Sequence, residues 1–300
     1  MARIKIICTS TGCIEYAPER YHNLGIDIIR IHVFYNGVDY KEGPDLDPDE
    51  FYRQMETVED PKNHLPKTGL PDTEDIQNCF ENAIRDGYDE AIVFSISTGL
   101  GGTYNKICLI AEDYRDRLKI HVIDTKLTCF GEGFLAIRAA QFAAQGMSSE
   151  RILKEVAWMM KRQLFLGVEG RLDYLIYNGR LKGGKAFMGQ MLQICPVLCF
   201  DKDGMIVAME SVRTQKKALA RSCEIIREKI GDRDPKDYLL WHVYTGKPFL
   251  QNLLEIEPKF GVKTNHEDVI MSPVSGCHNG PWLAGYGYAA LRRDDEPLED

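Results

Sequence analysis

The stretch Ser95-Ile96-Ser97-Thr98-Gly99-Leu100-Gly101-Gly102-Thr103-Tyr104 gathers hydroxyls and glycines directly after an apolar run, Ala91-Ile92-Val93-Phe94. A helical pattern begins near Thr103, so this loop joins a strand to a helix. Glycines let a backbone turn tightly and approach a ligand closely. The first turn of a helix offers unpaired N–H groups and a partial positive charge. The combination suits an anionic, carboxylate-like head group.

His278 is the second residue with chemical potential, in the polar turn Gly276-Cys277-His278-Asn279-Gly280-Pro281 after a strand at Asp268–Met271. A histidine on such a loop can titrate or hydrogen-bond near neutral pH. With Ser97 or Cys277 as nucleophile, or alone as general base, it would serve an acyl or phosphoryl transferase. No G-x-S-x-G elbow accompanies it. His242, in Trp241-His242-Val243, reads as a satisfied core residue. Gly179-Arg180-Leu181-Lys182-Gly183-Gly184-Lys185-Ala186 has P-loop spacing, but Ala186 replaces the hydroxyl that would hold magnesium. The residues before it, Asp173 to Asn178, read as a helix ending at Gly179 rather than a strand. The turn Thr9-Ser10-Thr11-Gly12-Cys13 carries one glycine, not a dinucleotide fingerprint. Arg213, Lys216, Lys217 and Arg221 form a basic helix start, read as a solvated face or a surface for phosphate or an acidic partner.

Composition narrows the classes. The 300 residues exceed what one compact core usually holds, so two domains are expected. An apolar fraction of 44% with 27% charged residues is that of a globular protein, and a net charge of −8 argues against nucleic acid as partner. No run has the length of a membrane helix, and Met1-Ala2-Arg3-Ile4 turns polar too soon for a signal peptide. Nine scattered cysteines then imply reduced thiols and a cytoplasmic location. Cys195 and Cys199 fall in an apolar, strand-like run without a second pair, so no metal site and no cofactor are expected.

The elements that must position these residues alternate in the first half. Strands are expected at Ile4–Cys8, Ile28–Phe34, Ala91–Ile96 and Ile120–Ile123. A helix capped by Thr73 presents Ile76, Cys79, Phe80, Ala83 and Ile84 on one face and closes at Gly87. Others run from about Gly133 to Ala144 and from Ser148 or Ser149 through Met160. Strand–helix alternation means a mainly parallel α/β sheet, with ligands beyond the carboxyl ends of its strands. The second half reads as α+β around an antiparallel sheet. Val197–Phe200 and Met205–Val212 flank the turn Asp201-Lys202-Asp203-Gly204, followed by a helix bearing Leu219, Cys223, Ile226 and Ile230 and a strand at Tyr238–Tyr244. The boundary is expected near Lys161–Gly167, giving domains 1–165 and 166–300.

In order along the chain, these pieces resemble the DegV family of bacterial fatty-acid-binding proteins. The motifs are Ser10-Thr11, Pro66-Lys67-Thr68-Gly69-Leu70-Pro71, Ser97 to Tyr104 and Val122-Ile123-Asp124-Thr125. Leu172-Asp173-Tyr174-Leu175 with Gly179-Arg180, Gly189 to Pro196, Arg213 and His278-Asn279-Gly280-Pro281 complete them. The resemblance implies a long-chain fatty acid held between the two domains. Thr68 and Ser97 would bind its carboxylate, with Thr9, Ser10, Gly69, Gly101, Gly102, Thr103, Arg213 and His278 near the head group. It also implies a carrier without chemistry of its own, which presents the acid to a fatty acid kinase for phospholipid synthesis. The chain departs from the family pattern at Thr9, Gly69, Gly101, Cys195 and Trp282. Hydroxyl and charge are thereby removed around the expected head group, and a bulky ring is set beside His278.

Overall fold

The computed structural model describes residues 2–43, 45–187, 194–293 and 295–298; the motif residues Gly189 to Gln193 lie outside them. The chain opens with β1 (Ile4–Thr9), β2 (Asp27–Ile29), β3 (His32–Tyr35), β4 (Val38–Lys41), α1 (Pro48–Glu56) and β5 (Lys67–Thr68). It continues through α2 (Thr73–Arg85), β6 (Glu90–Ser95), α3 (Thr103–Ala111), β7 (Lys119–Asp124), α4 (Cys129–Ala144) and α5 (Ser149–Met160). Next come β8 (Gln163–Glu169), α6 (Asp173–Tyr177), β9 (Val197–Phe200), β10 (Ile206–Glu210), α7 (Gln215–Ile230) and β11 (Tyr238–Tyr244). The last elements are α8 (Lys247–Leu254), β12 (Val269–Ile270), α9 (Pro273–Asn279) and β13 (Leu283–Ala290).

A four-stranded parallel sheet has the order β2-β1-β6-β7. Every residue of β1 is buried, as expected where helices cover both faces. The strand order turns outward on either side of the β1–β6 pair, which puts the loops after Thr9 and Ser95 at the switch point where such sheets bind ligands. A six-stranded sheet, β10-β9-β8-β13-β11-β12, is antiparallel apart from its β11–β12 pair. A small antiparallel sheet, β4-β3-β5, sits beside the first.

Helix α4 joins the two large sheets. It packs on β1 and β6 on one side and on β13 on the other, so it is buried nearly all round from Cys129 to Ala140. It begins a turn earlier than its sequence suggests, because Gly131 and Gly133 act as contact points rather than breakers. A Cβ on Gly133 would sit 1.9 Å from the Gly12 carbonyl oxygen.

Three further expectations are corrected. The strand expected at Ile28–Phe34 is two strands in different sheets, since the Ser10 hydroxyl accepts the Ile31 N–H at 3.1 Å and so removes a ladder donor. Asp72, not Thr73, stands at the cap position of α2, and it makes no side-chain cap bond. The turn expected around His278 is helix α9, capped by Ser272 Oγ accepting the Ser275 N–H at 3.3 Å. Elsewhere pattern and structure agree: Ser148 caps α5, and the Asp201–Gly204 turn closes the β9–β10 hairpin.

His242 is buried on β11 with a carboxylate on each ring nitrogen, Asp268 at 2.7 Å and Glu257 at 2.8 Å. Burial alone would push it down, but the two acceptors outweigh burial and lift it to about 9. It is an imidazolium in the core.

Candidate functional site

Thr68 ends the two-residue strand β5, held against Val33 of β3. His278 lies at the end of α9, which Glu42 fixes by accepting the Val274 N–H at 2.9 Å. These placements bring Thr68 Oγ1 and His278 Nε2 to 3.2 Å, across 210 residues of chain. Both line a cavity of about 310 Å³, at the small end of the roughly 300–1,000 Å³ typical of ligand sites. Its mouth is formed by Thr68, Gly69, Leu70, Gly101, Gly102, Arg180 and His278; its depth by Ile31, Ile96, Thr128, Val274, Ser275 and others. The mouth is polar and partly exposed, while the depth is mainly apolar and buried.

Burial, with Arg180 close by, holds His278 down at about 3, so the ring is neutral. With Nε2 occupied by Thr68, its Nδ1 is buried and has no partner among the described residues. A buried polar atom left unpaired is costly.

Arg180 follows Gly179, whose φ of +68° ends α6 and turns the chain toward the cavity. Its guanidinium donates to the carbonyls of Leu100 at 2.8 Å and Asn178 at 2.7 Å, which fixes a positive charge at the mouth. α6 supplies no strand before Gly179, so the P-loop spacing is coincidental.

Of the other expected residues, Gly69, Gly101, Gly102 and Thr103 line the cavity. Gly69 is also confined, since a Cβ there would lie 2.9 Å from the Phe34 ring. Ser97 does not line it. Its hydroxyl donates to the Gly204 carbonyl at 2.9 Å and accepts the Gly99 N–H at 3.0 Å, tying the loop to the β9–β10 hairpin. Thr9 and Ser10 stand behind the wall. Thr9 and Thr11 donate to the buried Glu132 carboxyl, and Thr9 also accepts the Ile96 N–H at 3.3 Å. Burial pushes Glu132 well above the usual carboxylate range.

Arg213 is elsewhere. It lines a separate cleft of about 310 Å³ with Arg171, Cys195, Gln215, Phe249 and Trp282. The Trp282 ring, expected beside His278, faces this cleft and carries the Arg171 guanidinium 4.8 Å from its centroid. Sequence reasoning missed Thr128, Ser275 and Asn279 as cavity walls and gave Arg180 no role there. The signal for Arg180 was its place after a glycine that closes a short helix.

The parallel sheet, the mixed second sheet and a polar-mouthed cavity between them define an α/β protein of the DegV type. The family model for uncharacterised DegV proteins matches residues 3–291, and the chain belongs to the DegV family. It is 30% identical to a DegV domain-containing protein of Clostridium perfringens, over 95% of this chain and 98% of that protein. Its fold is similar to the crystal structure of a fatty-acid-binding DegV family protein from Streptococcus agalactiae. The TM-score is 0.85, at 27% identity over 97% of this chain and 100% of that one. A stearic-acid-binding protein from Eubacterium ventriosum matches with a TM-score of 0.80 at 26% identity, over 96% of this chain and 98% of the other. Among the described residues no helix is long and apolar enough to cross a membrane.

Proposed function

We propose that this protein binds a long-chain fatty acid in the Thr68–His278 cavity and presents its carboxylate to a separate kinase for acyl-phosphate formation. The observation that carries the reading is the Thr68–His278 pair at the polar mouth of an otherwise mainly apolar cavity. A carboxylate there takes a hydrogen bond from the Thr68 hydroxyl, which the His278 Nε2–H orients by donating to it, with Arg180 supplying nearby positive charge. The chain runs inward past Ile31, Ile96 and Val274. Each buried methylene contributes about 0.8 kcal/mol, so the tail supplies most of the gross affinity. Ser97 reaches the carboxylate only if its hydroxyl leaves Gly204; otherwise it holds the loop that forms the mouth.

The fatty-acid-binding relatives support the ligand class. The kinase partnership follows from family resemblance and from a head group placed at the opening rather than in the depth. A general-base role for His278 fits poorly, because a group held near 3 is badly matched to proton abstraction at neutral pH.

The test is mass spectrometry of an organic extract of the purified, denatured protein, followed by incubation with a fatty acid kinase and ATP. The reading expects a stoichiometric long-chain acid, and acyl phosphate only when both proteins are present. An empty extract from folded protein that also fails to take up added palmitate contradicts it, as does turnover by this chain alone.

A further inference from the structure

The deep wall of the Thr68–His278 cavity is aliphatic at Ile31, Ile96 and Val274 but polar where the start of α4 meets α9. There Thr128 Oγ1 and Ser275 Oγ lie 2.8 Å apart. Asn279 joins them from the same face of α9, its Nδ2 donating to the Ser275 carbonyl at 2.9 Å. None of the three residues is more than 5% exposed. Their hydrogen bonds are incomplete. One hydroxyl of the Thr128–Ser275 pair donates to the other, so the accepting hydroxyl keeps a hydrogen with no acceptor among the described residues. Asn279 Nδ2 is committed to Ser275, while its Oδ1 receives no donor among them. Thr128 also stands at the N-cap of α4, where a threonine hydroxyl ordinarily accepts a helix N–H. It makes no such bond and turns to Ser275 instead. The patch thus keeps one unused donor and one unused acceptor in a mainly apolar depth, where unpaired polar groups are costly.

We propose that the preferred ligand is a hydroxylated long-chain fatty acid, whose chain hydroxyl accepts from the Thr128–Ser275 pair and donates to Asn279 Oδ1. The proposal rests on the fatty-acid reading above and adds a substrate class to it. An alcohol is both donor and acceptor, so it serves both groups, whereas a keto oxygen only accepts. Arg180 and the neutral His278 belong to the mouth, and no charged side chain lines the depth. A second carboxylate there would be buried without a counter-ion. Ser275 precedes His278 by three residues, which sets it about 4.5 Å further in along α9. The hydroxyl therefore belongs a few carbons from the carboxylate, not near the methyl end.

The experiment measures, by calorimetry on the purified full chain freed of lipid, affinity for palmitate and for hydroxypalmitates carrying the hydroxyl at successive carbons. The wild type should bind one isomer, or two adjacent ones, about three- to tenfold more tightly than palmitate, as a gained hydrogen bond implies. Thr128→Val combined with Ser275→Ala removes both hydroxyls, and that preference should disappear. Thermal melts show whether the double variant folds. If it does not, the positional series in the wild type decides alone, because fixed groups favour a fixed carbon. Equal preference for every isomer, or palmitate bound as tightly as all of them, overturns the proposal while leaving fatty-acid binding intact. So does a preference that survives in the folded double variant. Absence of binding by the wild type across all the acids defeats the fatty-acid reading instead, and the proposal with it.

Discussion

Two openings of about 310 Å³ lie on this molecule, and they differ in what they do with charge. In the cavity, a neutral histidine and a threonine meet at the mouth, Arg180 is spent on backbone carbonyls, and the depth is mainly aliphatic. In the cleft, Arg171 and Arg213 share the walls with Trp282 and Gln215, and Arg213 stays exposed. The cavity can desolvate an acyl chain without burying a free cation, whose desolvation would cancel much of an ion pair's gain. The cleft offers cations without comparable apolar depth. The arginine that lines the Thr68–His278 cavity is therefore decided by where the chain turns, not by which segment is basic.

The sharpest way to break this comparison is to remove one group from each opening. His278→Ala should weaken palmitate by about 1–3 kcal/mol, the worth of a buried hydrogen bond. Arg213→Ala should leave it within about twofold. Calorimetric titration of both variants would invert the assignment if Arg213→Ala showed the greater loss.

A somewhat smaller effect follows from protonation. His278 is held near 3 when folded, while the unfolded chain titrates near about 6.5. The unfolded state thus binds more protons between these values, and stability falls as pH drops through that window. The loss attributable to this group is about 2 kcal/mol at pH 5. Denaturant unfolding at pH 7 and pH 5 should show that slope reduced in His278→Gln, and an unchanged slope would refute the buried neutral imidazole.

Ser97→Ala removes the tie to Gly204 and should cost about 1 kcal/mol of stability, read as a lower urea midpoint. A large loss of palmitate affinity with no change in stability would place the hydroxyl on the ligand instead. The smallest effect is expected at Trp282→Gly, which empties one wall of the cleft. Palmitate affinity should stay within about twofold, and a tenfold change would show that the two openings communicate.

Much of the fold was legible because its periodicities are long and unbroken. Strand β11 and helices α5 and α7 follow directly from their apolar spacing and caps. The misses share a cause, tertiary contacts that a local pattern does not contain. Ser10 divides β2 from β3 by capturing one N–H, and Gly133 lies inside α4 because Gly12 packs on it. His242 was readable as a core residue but not as a charged one, since Glu257 and Asp268 reach it from 15 and 26 residues away. At the site, His278 and the glycines of the β6–α3 loop were legible as residue types suited to a head group, whereas Thr68 came only from the family resemblance. Which basic side chain joins them was not legible. Gly179 turns Arg180 into the mouth, while Arg213 lies at the start of α7 beside a different opening.

The most direct measurement is a crystal structure of the protein with palmitate bound. The account predicts a carboxylate oxygen within hydrogen-bond distance of Thr68 Oγ1, beside the His278 ring and Arg180, with the tail running past Ile96 toward Thr128. A carboxylate seated on Arg171 and Arg213, with the Thr68–His278 cavity free of ligand, would contradict it.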